Sequence, residues 1–162
     1  MDFIKEFDRA EKRPPSDYAL IDRMLQGTSR PSISGPAPGR LVWELPLPRH
    51  GVFHATVAIE GPAPVRFRVG VSDERIYEEL ASATVDVSGA WRDVRADLSA
   101  YAGWKWSVFY RPERVRWRLV LSADAISGVP GRVIWGMPEI TTDPPAAREY
   151  AARRQKWGHS RF

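Results

Sequence analysis

Cysteine is absent from the 162-residue chain. That excludes a disulfide scaffold, a thiolate metal site and a cysteine nucleophile. No run approaches the ~20 apolar residues of a membrane-spanning helix. The opening MDFIKEFDRAEKR carries acidic residues where a secretory leader needs a basic region and an apolar run. The expectation from these absences is a cytoplasmic protein. His50, His54 and His159 are the only histidines, and no HxH or HExxH spacing brings them towards one ion at about 2 Å. They are expected to be ordinary surface side chains. There is no G-x-S-x-G elbow and no glycine-rich phosphate loop. The chain is therefore read as non-catalytic, with no cofactor.

Aromatic residues and arginine are plentiful. Seven tryptophans within a 43% hydrophobic composition suffice for a real core. Net charge is only +4, which permits an acidic partner or anionic headgroups without demanding nucleic acid. Arginine far outnumbers lysine, which suits planar pairing with carboxylates.

From Arg40 the pattern alternates with period two, as in half-buried strands. Phe53, Ala55, Val57 and Ile59 form one inward face, Val65, Phe67, Val69 and Val71 another, and Val115, Trp117, Leu119 and Leu121 a third. Strands are predicted at Leu41–Leu45, Val52–Glu60, Val65–Ser72, Arg75–Leu80, Thr84–Val87, Trp91–Leu98, Trp104–Tyr110, Val115–Ala123 and Arg132–Trp135, with Glu139–Thr141 continuing the last. Short strands with Gly and Pro turns between them give an all-β fold, an antiparallel β-sandwich or jelly roll.

The stretch Trp91, Val94, Asp97, Leu98, Ser99, Tyr101, Gly103, followed by Trp135, Gly136, Pro138 and Ile140, resembles bacterial jelly-roll domains of the galactose-binding-like, carbohydrate-module type. The resemblance covers residues 38–141. It implies the sandwich. It also implies a sugar ligand held by loops at one end and, in some relatives, a structural calcium, but no loop here matches either site.

The segments outside residues 40–142 read as helical. Residues 2–12 present Phe3, Ile4 and Phe7 on one side of a short amphipathic helix. Ser16–Gln26 presents Tyr18, Ile21, Met24 and Leu25, with Gly27 placed to stop it. Residues 28–39 read as a Pro/Gly linker, so 1–39 form an N-terminal arm. Residues 143–162 read as a C-terminal helix opened by Asp143-Pro144-Pro145, with a basic tail.

Several groups of residues could bind or react. Arg66, Arg68, Arg114, Arg116 and Arg118 would form an outward basic face if their strands share a sheet; the alternative is a solvated face balanced by Glu78, Glu79, Asp93 and Asp97. Asp93 and Asp97 lie four residues apart, about 13 Å at ~3.3 Å per residue, too far to act as a pair. Trp43, Trp104, Trp106 and Trp135 could line a sugar platform, although most lie in strand phases that suit the core. Trp117 falls on the inward phase, which argues against base stacking.

Aromatic anchors with arginines at their rim are the residue types that dominate protein interfaces. The functional expectation is therefore an accessory subunit that binds other protein subunits. Phe3, Ile4, Phe7, Tyr150, Arg153, Arg154, Trp157 and Phe162 on the arms would act with the arginine face. The host would be a larger complex at an anionic membrane surface, such as a photosynthetic reaction centre–antenna complex. The alternative is a carbohydrate-binding module.

Overall fold

The computed structural model describes residues 1–48, 50–101 and 116–142. Among them are ten strands: β1 (Glu11–Arg13), β2 (Ala19–Leu25), β3 (Thr28–Gly35), β4 (Gly39–Leu45), β5 (Gly51–Ile59), β6 (Val65–Ser72), β7 (Tyr77–Val85), β8 (Arg92–Asp97), β9 (Trp117–Ala125) and β10 (Val133–Thr142). They form two five-stranded sheets, ordered β1-β4-β9-β6-β7 and β2-β3-β10-β5-β8. Neighbouring strands run antiparallel throughout.

The alternating positions face inward as their spacing requires. Phe53, Val57, Phe67, Val69, Leu119 and Leu121 are almost completely buried in a single apolar cluster. Phe67 of β6 meets Trp135 of β10 edge-on, with ring centroids 5.0 Å apart, and so joins the two sheets. Each such side chain contributes roughly 1.5–3 kcal/mol when buried. The sequence separated Arg75–Leu80 from Thr84–Val87, but they belong to the single strand β7. The expected strand Trp104–Tyr110, the start of the one at Val115, and the C-terminal helix over residues 143–162 lie outside the described residues.

The N-terminal helices and the linker are corrected by the structure. Ser16–Gln26 was expected to be helical, yet Ala19–Leu25 is β2, paired along its length with β3. Gln26 and Gly27 have φ of +51° and +78°. Positive φ at both central residues is the signature of a two-residue hairpin turn, so Gly27 turns a hairpin rather than ending a helix. The expected linker contains β3, whose Ile33 is fully buried. Pro31 lies one position beyond Ser32, where pairing with β10 stops. There β3 has a neighbour on one side only, and a missing N–H is tolerated.

Residues 2–12 form no α-helix either. A short 3-10 turn at Phe7–Arg9 leads into β1. Phe3 is 0% exposed, and its ring lies 4.7 Å from that of Trp43 and 6.0 Å from that of Phe53. Its N–H donates to the Pro138 carbonyl at 3.0 Å, and the Met1 carbonyl accepts from Ile140 N–H at 2.8 Å. The Trp43 indole N–H donates to the Glu6 carbonyl at 2.9 Å. Burial of one large ring and capture by a sheet outweigh the helix propensity of a segment this short.

Phe3→Ala should therefore destabilise the protein by about 3–5 kcal/mol, read as a lower midpoint in urea. A free arm would leave the midpoint unchanged.

Candidate functional site

The outer face of the β1-β4-β9-β6-β7 sheet carries a groove of about 800 Å³. Strand register arranges it in three rows. Arg40, Ser122 and Arg68 form the first, and Val42, Val120 and Gly70 the second. Arg118, Ser72 and Tyr77 form the third. Glu11 and Arg13 of β1 pair with Val42 and Arg40 and close one side.

Tyr77 reaches this face because of a bulge. Val69 pairs with Ala81, but Gly70 pairs with Glu79, so Leu80 is an extra residue in β7. Before the bulge Ala81, Ala83 and Val85 share the inner face; after it the parity reverses and Tyr77 points outward. Its ring then lies on Gly70, where an added Cβ would stand 2.5 Å from ring atoms. Only glycine allows that approach. Tyr77 stays 48% exposed and offers its other face to the groove. Burial and the Glu79 carboxylate push its phenol above the usual range, so the hydroxyl remains a neutral donor.

Charged groups around the groove are mostly paired. Arg68 meets Asp124 at 2.6 Å, Arg118 meets Glu74 at 2.9 Å, and Arg13 meets Glu11 at 2.5 Å. Outside it Arg66 meets Glu79 at 3.2 Å and Arg116 meets Glu44 at 3.0 Å. Arg66, Arg68, Arg116 and Arg118 thus lie on or beside one sheet, each paired with a carboxylate rather than forming a bare basic face. Arg114, Tyr150, Arg153, Arg154, Trp157 and Phe162 lie outside the described residues.

The remaining candidates are placed by burial. Phe3 is fully buried in the core, which removes it as an anchor for a partner, and the partly buried Ile4 and Phe7 pack against that core. Trp43 and Trp135 are each 2% exposed, which removes them from a sugar platform; Trp104, Trp106 and His159 fall outside the described residues. His54 lies 3.7 Å from Asp93. Asp97 accepts the Ser99 backbone N–H at 2.9 Å, and that bond holds its carboxyl below the usual range. It caps a turn and does not work with Asp93. Among the described residues no group of three or more His, Asp or Glu is gathered to hold a metal ion.

No family model matches the chain, and no curated protein matches it. Solved structures do match. The Clostridium thermocellum endo-1,4-beta-D-xylanase 10B CBM22-1-GH10 modules, complexed with xylohexaose, superpose with TM-score 0.53 at 18% identity, over 85% of this chain and 26% of that one. CBM51-2 of Clostridium perfringens ZmpB, solved with its INT domains in complex with GlcNAc, gives TM-score 0.50 at 13% identity, over 82% of this chain and 27% of that one. The fold is the jelly roll of carbohydrate-binding modules. This chain spans about a quarter of either matched chain.

These findings overturn the expected accessory subunit of a membrane complex. Its N-terminal arm is part of the jelly roll, and both of these matched structures contain a carbohydrate-binding module. The sequence reading also missed Tyr77, Arg40, Ser72, Ser122 and Asp124. One signal was present: Gly70 sits inside the alternating strand β6, and a glycine inside a strand marks a bulge or a close approach.

Tyr18 braces one wall of the groove. Its hydroxyl lies 3.1 Å from the Arg13 carbonyl and 3.3 Å from that of Arg40. Burial, with the Asp17 carboxylate beside it, pushes its phenol from 10.0 up to about 12. A folded pKa above the unfolded one contributes stability that is complete below pH 10.0 and is lost as pH rises to about 12. Tyr18→Phe should flatten this alkaline loss in a series of melts, whereas an unchanged slope would assign it elsewhere.

Proposed function

We propose that the protein binds carbohydrate, without catalysis, in the groove on the β1-β4-β9-β6-β7 sheet. The observation that carries the reading is the Tyr77 ring laid on Gly70 next to Val120, with Val42 one strand further along the groove and hydrogen-bonding side chains on both flanks. A pyranose ring has apolar C–H faces and a polar edge of hydroxyls. An aromatic face bordered by Ser72, Ser122 and fixed ion pairs is complementary to both. The volume of about 800 Å³ lies within the ~300–1,000 Å³ of ligand sites. The fold shared with carbohydrate-binding modules supports the same reading.

A glycan array, followed by calorimetry on the hits, tests it. Tyr77→Ala should weaken binding at least about tenfold, near 1.4 kcal/mol, with the melting temperature little changed because the side chain is half exposed. Gly70→Val should weaken it similarly by displacing the ring. Undiminished binding in both variants would move the site elsewhere.

A further inference from the structure

The ion-pair balance of the groove points to its ligand class, given the carbohydrate reading on which this rests. Four guanidiniums line it, on Arg13, Arg40, Arg68 and Arg118. Glu11 holds Arg13, Asp124 holds Arg68 and Glu74 holds Arg118. The excess cation is Arg40, which has no ion pair among the described residues. It is exposed, and it sits directly opposite Arg13 in the β1–β4 register. Like charges facing each other across a strand pair are unfavourable, and an anion delivered between them relieves that repulsion.

We propose that the groove selects an acidic glycan and that Arg40 binds the carboxylate of a uronate unit. A guanidinium presents a planar fork of N–H donors that matches a carboxylate in a bidentate pair. The carboxylate of a uronate leaves the edge of the sugar ring, not its face, so stacking and charge pairing do not compete. Gly70, on which Tyr77 rests, lies two strands from β4, with β9 between. At about 4.8 Å per strand this is roughly 10 Å, so the stacked ring and the paired carboxylate belong to different units of one oligosaccharide. Arg40 is still near enough for its charge to act on the Tyr77 hydroxyl. Ser122, between Arg40 and Arg68 in the same row, adds a hydroxyl at the level where the acid group arrives.

Calorimetry on the full chain distinguishes the alternatives. The probes are oligogalacturonides and glucuronoxylan oligosaccharides, each as free acid and as methyl ester on the same backbone. The free acid should bind about tenfold tighter at low ionic strength. That preference should shrink at about 0.5 M salt. Arg40→Gln should bring the acid-to-ester affinity ratio to about one, whatever its effect on ester affinity itself, and Tyr77→Ala should weaken both forms. Equal binding of acid and ester, or an acid preference that survives in Arg40→Gln, overturns the uronate assignment and leaves carbohydrate binding standing. Binding of neither form, together with a blank array, removes the carbohydrate reading and this proposal with it.

Discussion

A strand sends alternate side chains to opposite faces, and an inserted residue exchanges the faces for everything beyond it. Two such insertions organise this molecule. Leu80 in β7 turns Tyr77 out of the core and over Gly70. In β10 the register shifts between Gly136 and Glu139, where Met137 has φ +45°. Val133 and Trp135 face inward before that shift and Ile140 after it. The second bulge also gives the Pro138 carbonyl to Phe3. One bulge thus orients the candidate binding ring, and the other fastens the start of the chain.

That fastening makes the N-terminal segment structural. Phe3 fills the space between Trp43 of one sheet and Phe53 of the other. Tyr18 then reaches from the approach to β2 to the carbonyls of Arg13 and Arg40. Both contacts support β4, the strand that carries Val42 and Arg40. The segment expected to reach a partner instead braces the groove wall.

The arginine-rich face shows how little charge alone says about role. Each exposed pair there contributes only about 0.2–1 kcal/mol, so the pairs add little to stability. They do restrain long side chains beside an apolar strip, in positions that can meet hydroxyl groups. Because Arg66, Arg68, Arg116 and Arg118 are neutralised in this way, Arg40, unmatched among the described residues, is the cation that gives the groove its sign.

The sequence by itself determined the sandwich core and much of its punctuation. Strand β6 spans Val65–Ser72 as the alternation indicates, and Phe53, Phe67, Leu119 and Leu121 are buried on the predicted phase. That much is local, because side-chain period is a property of neighbours along the chain. The N-terminal region was misread because Tyr18, Ile21, Met24 and Leu25 satisfy helical spacing, while the partner that makes β2 a strand is supplied by tertiary pairing with β3. The groove was legible only as an interrupting glycine. It collects side chains from β1, β4, β6, β7 and β9, distant in sequence, and the parity that exposes Tyr77 depends on a register shift with no residue signature of its own. Local periodicity decided which side chains could be buried; pairing between strands decided which of the others meet.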